Sequence, residues 1–208
     1  MLIPFSELVR KYAITPNGVF HVGANTGQEV KYYLEHDVVN MVLIEADPKV
    51  FQQLKANVHL LPYATPVWAL CSDTDGEEVD FHIANNGGQS SSMLEFGTHT
   101  KQHPEVHFVN NIALTTIRAD TICARYNFDL ANYDFLNIDV QGAELQVLKG
   151  MGEELHKINY AYIEVNRDEL YKGCARVEEI DAYLSGYGLH RREMEMTNFG
   201  WGDAYYSR

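Results

Sequence analysis

The stretch Gly18-Val-Phe-His-Val-Gly-Ala-Asn-Thr-Gly27 decides the fold. A short apolar run ends at Gly23, a turn of Asn25, Thr26 and Gly27 follows, and Val30, Tyr33 and Leu34 then recur with helical spacing. This order predicts strand, tight turn and helix, with Thr26 and Glu29 spaced as a capping box. Glycine at the turn lets a ligand approach the backbone where helix N–H groups point outward. A glycine-rich turn is equally an ordinary strand-to-helix connection, so its surroundings must decide.

Downstream, Met41 to Glu45 predicts a second strand, and Asp47-Pro48 the cap and first turn of a helix burying Val50, Phe51, Leu54 and Val58. A third strand is expected near Pro66 to Cys71, followed by an acidic turn and a peripheral, half-exposed strand carrying Val79, Phe81 and Ile83. Residues 85–103, rich in Gly, Ser, Asn and His, read as a long loop over one face. Regular structure resumes at Val106 to Ile117, with a helix around Ala119 to Tyr126 and a strand at Phe135 to Val140 running into a short helix. Then come a strand at Tyr160 to Val165, a helix carrying Val177, Ile180, Tyr183 and Leu184, and strands near Leu189 to Met196 and Ala204 to Ser207. Alternating strands and helices imply an α/β fold with a doubly wound, mostly parallel sheet, whose ligands bind beyond the strands' carboxyl ends at the topological switch point. One domain over residues 1–208 is expected, the composition being globular at 46% hydrophobic and 22% charged residues.

A formal charge of −13 sets nucleic acid and anionic membranes at a disadvantage and suits neutral or cationic ligands. Arg191-Arg192 reads as solvated strand-edge charge. Cys71, Cys123 and Cys174 form no C-x-x-C pair, which points to a reducing compartment. Met1 to Tyr12, interrupted by Glu7 and Arg10, matches neither a signal peptide nor a membrane span, so a soluble cytoplasmic protein is expected.

Glu45 ends the second strand about twenty residues after the glycines, where a carboxylate can accept from both hydroxyls of an adenosine ribose. The glycine pattern is G-x-x-x-G, short of the full pyrophosphate clasp of a nicotinamide site. Asp139, ending the fourth strand, suits a sulfonium and an ammonium better than a pyrophosphate, so charge favours S-adenosylmethionine over NAD. No Tyr-x-x-x-Lys pair supplies an acid for hydride chemistry, which leaves an NAD-dependent oxidoreductase as the second reading.

Three motifs in order, His21-Val-Gly-Ala-Asn-Thr-Gly-Gln28, Ile44-Glu-Ala-Asp-Pro48 and Asn137-Ile-Asp-Val-Gln-Gly-Ala-Glu-Leu-Gln-Val-Leu-Lys-Gly150, together resemble the FkbM family of methyltransferases. The similarity runs from about Gly18 through Gly88-Gln-Ser-Ser-Ser92 and Tyr162-Ile-Glu-Val165 to the tyrosine-rich end. It implies a class I methyltransferase fold, a seven-stranded sheet with an antiparallel last strand, and methyl transfer from S-adenosylmethionine to oxygen in sugars or natural products. His21 stands where the family commonly has Asp, and Gln141 where it commonly has Glu. A neutral imidazole or amide can still hydrogen-bond the ligand there.

The expected cofactor contacts are His21, Gly23, Asn25 and Gly27 at the first turn, and Glu45 and Ala46 at the second strand. Cys71 and Ser72, Ser91 and Ser92, and Asp139 with Gln141 complete the set. Methyl transfer to a hydroxyl needs alignment and removal of a proton, for which Asp139 and Glu164 are the first candidates and His103 the next. Trp201, in an expected turn between Gly200 and Gly202, and His107 are expected to touch the acceptor, while Glu144 has a structural role at a helix start. His99, His103 and His107 have the spacing of a helical metal face, but Pro104 interrupts the helix and no metal is expected. The expected acceptor is a hydroxylated small molecule or glycan; a polyketide-type acceptor and a cofactor-binding module without catalysis are the alternatives.

Overall fold

The structure, a computed structural model, describes residues 1–208. The opening stretch forms β1 (Val19–Val22), buried throughout, with Phe20 and Val22 on one face and Val19 and His21 on the other. Its neighbours are β2 (Met41–Glu45), residue for residue the expected second strand, and β7 (Phe135–Ile138), both parallel to it. Beyond β2 lies β3 (Ala64–Trp68). Beyond β7 come β8 (Tyr160–Asn166), then β10 (Trp201–Ser207), then β9 (His190–Met196). The order is therefore β3-β2-β1-β7-β8-β10-β9, and β10 is antiparallel to both neighbours. This is the seven-stranded sheet with an antiparallel last strand that the family resemblance implies. The order reverses at β1, which opens the switch point between β1 and β7.

Helices cover both faces. The face of Phe20, Val22, Ile44, Leu136 and Ile138 packs on α5 (Ala119–Tyr126), α6 (Glu144–Met151) and α7 (Val177–Ser185) in a core of 27 buried residues. The other face packs on α1 (Phe5–Tyr12), α2 (Val30–Leu34) and α3 (Pro48–Val58) in a core of 16. Helix α3 begins as expected: Asp47 Oδ1 accepts from the N–H groups of Lys49 and Val50, with Pro48 in the first turn. No helix is long and apolar enough to cross a membrane.

Four local expectations are corrected. The apolar run at Pro66 to Cys71 is two strands, because after Trp68 the chain leaves the main sheet and β4 (Leu70–Ser72) pairs with β6 (Phe108–Arg118) in a second sheet. There β6 also pairs antiparallel with β5 (Glu78–Ala84), the peripheral strand foreseen. The Thr26/Glu29 capping box does not form. Gly27 takes φ +83° and the Thr26 N–H goes to Asn25 Oδ1, so α2 starts only at Val30 and makes no side-chain cap. Leu34 ends α2 exposed.

The long loop contains α4 (His99–Gln102) and is tied down as a strap across the strands' carboxyl ends. Ser92 bridges to His82, Phe96 bridges to Tyr171, and the Gly97 N–H donates to the Leu170 carbonyl at 2.7 Å. A side chain at Gly97 would lie 2.1 Å from the Glu169 carbonyl oxygen, so this close approach requires glycine. Finally, Trp201 lies in no turn: it is the first residue of β10, half-buried and paired with Asn166.

Candidate active site

A cavity of about 590 Å³ opens beyond the carboxyl ends of β2, β1, β7 and β8 and the amino end of the antiparallel β10, roofed by the strap. Period-two alternation along the strands builds its floor in rows. His21, Asn137 and Tyr162 form one row across β1, β7 and β8. Glu164 and Asp203 form the next across β8 and β10, and Asn166 and Trp201 the last. Burial lowers the His21 imidazole to about 3, so it is neutral, and it lies 3.5 Å from the Tyr33 hydroxyl, which accepts from Asn137 Nδ2.

The glycine turn makes the tightest approach. Gly23 has φ +84°, and a Cβ there would stand 1.7 Å from the Asp139 carbonyl oxygen. Glu45, 8% exposed, turns into the same corner. One of its oxygens accepts from the Asn25 N–H at 2.9 Å and the other from the Asp47 N–H at 2.8 Å. Burial raises its carboxyl to about 7 despite these bonds.

Gln141 joins the remaining acids. Its Nε2 donates to Asp139 Oδ1 at 2.7 Å and to Glu164 Oε2 at 2.9 Å, while its Oε1 accepts from the Tyr171 hydroxyl at 2.7 Å. The backbone is pinned by Ser92 Oγ, which donates to the Gln141 carbonyl. Asp139 is open to the cavity yet ringed by protein; that enclosure, with the negative charge of Asp203 and Glu29, raises its carboxyl to about 6. Burial and the neighbouring acids, Asp139 first, push Glu164 well above the carboxylate range. Glu144 sits behind them and is fully buried; its Oε1 accepts from the Val140 and Gly142 N–H groups, which is the structural role expected of it.

Of the expected site residues, His21, Gly23, Asn25, Glu45, Ala46 and Cys71 line the cavity, as do Ser91, His103, Asp139, Gln141, Glu164 and Trp201. Four do not. Gly27 faces Leu54 of α3, and the buried Ser72 presents its carbonyl to Gly150 of α6. Ser92 serves the Gln141 backbone from behind, and His107 is exposed on the outer side of the strap, bonded to Asn85. Sequence reasoning missed Asn137, Asn166 and Asp203, although each stands two residues from a residue it had singled out, Asp139, Glu164 and Trp201 respectively, on the same face of its strand. No group of three or more His, Cys, Asp or Glu is placed to hold a metal.

The cavity suits a cation carrying an adenosine. It is lined by Glu29, Glu45, Glu105, Asp139, Glu164 and Asp203 and by no Lys or Arg. The N–H groups that a pyrophosphate would use at the strand ends are taken by the protein's own acids, Asn25 and Asp47 by Glu45, and Val140 and Gly142 by Glu144. Such a site on this sheet order defines a class I S-adenosylmethionine-dependent methyltransferase. Residues 21–191 match the Methyltransferase FkbM domain. The chain belongs to the FkbM methyltransferase family.

Its relatives agree. The 2-O-methyltransferase NoeI of Sinorhizobium fredii (strain NBRC 101917 / NGR234) is 28% identical over 178 residues, covering 82% of this chain and 72% of that protein. The crystal structure of methyltransferase FkbM from Methylobacillus flagellatus KT superposes with a TM-score of 0.60 at 13% identity, over 94% of this chain. The match spans 44% of that longer chain, so the likeness is one of fold. A protein of the NADB-Rossmann superfamily from Streptococcus agalactiae gives 0.52 at 11% identity, over 97% of this chain and 67% of its own.

Proposed function

We propose that this chain methylates a hydroxyl oxygen of a sugar or glycan. The observation that carries the reading is the pair of acids at the ends of adjacent strands, Asp139 and Glu164, bridged by Gln141 inside the cavity. S-adenosylmethionine, when bound, supplies a methyl carbon activated by its sulfonium. Gly23, Asn25, Glu45, Ala46 and Cys71 would hold its adenosine, with Glu45 taking the ribose hydroxyls on the lone pairs its backbone bonds leave free. His21, Asp139 and Gln141 would face its amino acid end, and Ser91 would close the strap side.

Asp139 is the acid open to the cavity, and a carboxyl at about 6 is ionised at neutral pH yet basic enough to take a hydroxyl proton in the transition state. Glu164 is buried beside Asp139, and its raised pKa favours the neutral form, which lowers the charge that the pair would otherwise concentrate. His103, half-buried with its Nδ1 3.7 Å from Glu105, is the second candidate base. Trp201 at the start of β10 offers a ring for a sugar face to rest on. The relative's 2-O-methyl transfer supports oxygen as the acceptor atom. Three unpaired, buried thiols support a reducing, cytoplasmic setting.

The test is methyl transfer to a panel of glycosides and polyketide-type alcohols, with products read by mass spectrometry. Asp139→Asn is expected to lower kcat roughly 100-fold or more, a larger effect than its loss of cofactor affinity, and Glu45→Ala to weaken cofactor binding roughly tenfold. Tight cofactor binding without turnover on any alcohol would return the chain to the role of a binding module.

A further inference from the structure

The absence of lysine and arginine side chains extends from the cofactor to the acceptor. We infer that the acceptor is an uncharged glycoside, methylated only after a glycosyl-transfer reaction has removed its nucleotide diphosphate; this rests on the sugar reading above. In that preceding reaction the diphosphate leaves the anomeric carbon with the bonding electron pair, and a hydroxyl oxygen takes its place and gives up its proton.

Two observations carry the inference. The first is charge: six acidic side chains and no Lys or Arg line the cavity, with the amino group of Met1 set against them, within a chain of net charge −13. Proteins bind a diphosphate with Lys, Arg or free N–H groups at a helix start. Here the N–H groups of Asn25, Asp47, Val140 and Gly142 already donate to Glu45 and Glu144, and those of Lys49 and Val50 to Asp47. At the strap side the rim adds Glu105, whose side chain is 70% exposed.

The second observation is a pair of neutral groups without partners. Asn166, 1% exposed, and His99, 5% exposed, both line the cavity, and Asn166 Nδ2 and His99 Nδ1 bond to nothing. Ser90 Oγ accepts from Asn86 Nδ2 and lies 3.3 Å from His99 Nε2, so that side of the ring is engaged and Nδ1 is the side left without a partner. Burial lowers the His99 pKa and favours the uncharged ring. Two uncharged polar groups on the cavity wall, Asn166 opposite Trp201 in the sheet and His99 on the strap, match the hydroxyls of a neutral sugar, which both donate and accept.

The experiment compares, on the intact chain with S-adenosylmethionine, methyl glycosides against the nucleotide-diphosphate and 1-phosphate forms of the same sugars, at low and high salt. The expected result is a kcat/KM for the glycoside at least about tenfold higher, with the gap narrowing as salt rises. Glu105→Lys should narrow the same gap by roughly threefold or more. Equal or faster methylation of the nucleotide sugar would overturn the inference while leaving the sugar reading in place. Methylation of polyketide-type alcohols but of neither sugar form would remove the sugar reading, and the inference with it.

Discussion

Gln141 occupies a left-handed backbone conformation, φ +58°, and spends both amide hydrogens and its carbonyl oxygen on Asp139, Glu164 and Tyr171. A carboxylate there would set a third acid among two already raised by burial. Gln141→Glu is therefore expected to move the rising limb of the kcat–pH profile upward by roughly one unit, because added negative charge holds the proton on Asp139 to higher pH. Gln141→Ala should lower kcat across the whole profile, and a profile unchanged in both variants would show that the bridge has no part in turnover. Gly23 makes the complementary case for backbone. With φ +84° and no room for a Cβ against the Asp139 carbonyl, Gly23→Ala is expected to destabilise the fold by roughly 2–4 kcal/mol, measured by chemical denaturation.

At the scale of elements, the strap of residues 85–107 is the part that side-chain bonds hold in place. Ser92 Oγ donates to the Gln141 carbonyl and accepts from the Leu94 N–H, so one hydroxyl ties the strap to the turn after β7. Phe96 and Tyr171 join it to a small cluster with Leu170 and Cys174. Ser92→Ala should loosen this roof by about 1–2 kcal/mol, seen as faster proteolysis within residues 85–107 while the main thermal transition barely moves. A large fall in that transition would instead place the strap within the cooperative core. The edges of the sheet are also managed: on the outer strand β9, Arg191 pairs with Asp181 at 3.2 Å and Arg192 bonds Ser207, so the charges read as strand-edge solvation also brace the strand.

For the whole molecule, the concentration of acids at one end of the sheet has a consequence for pH. Glu45 and Glu144 lie at about 7 and Asp139 at about 6, and Glu164 is pushed well above the usual carboxylate range, all above their unfolded values. The folded chain thus holds more protons than the unfolded chain between pH 4.5 and 7. Stability must then fall as pH rises through that range. Neutral His21, at about 3, works the other way, losing stability as pH falls below its unfolded value of 6.5. The free protein should therefore lose several degrees of Tm between about pH 6 and pH 8, where the acids dominate. A cationic cofactor favours the ionised acids, so its binding should release protons and tighten over the same range, which calorimetry in buffers of different ionisation enthalpy would read. The succession of strands and helices along the chain, the helix at Asp47-Pro48 and the floor residues His21, Glu45, Asp139 and Glu164 were legible in the sequence, because period and capping are set by neighbours along the chain. What only the tertiary structure decided is whatever depends on distant segments meeting. The split at Ala69 follows from β6 offering a second partner, and the outward position of His107 from the path of the strap. The place of Trp201 in a strand depends on Asn166, thirty-five residues earlier, standing opposite it. Local sequence determines which face a side chain takes, but which backbone it pairs with, and which N–H groups its carboxylate closes, is settled by contacts that no local pattern encodes.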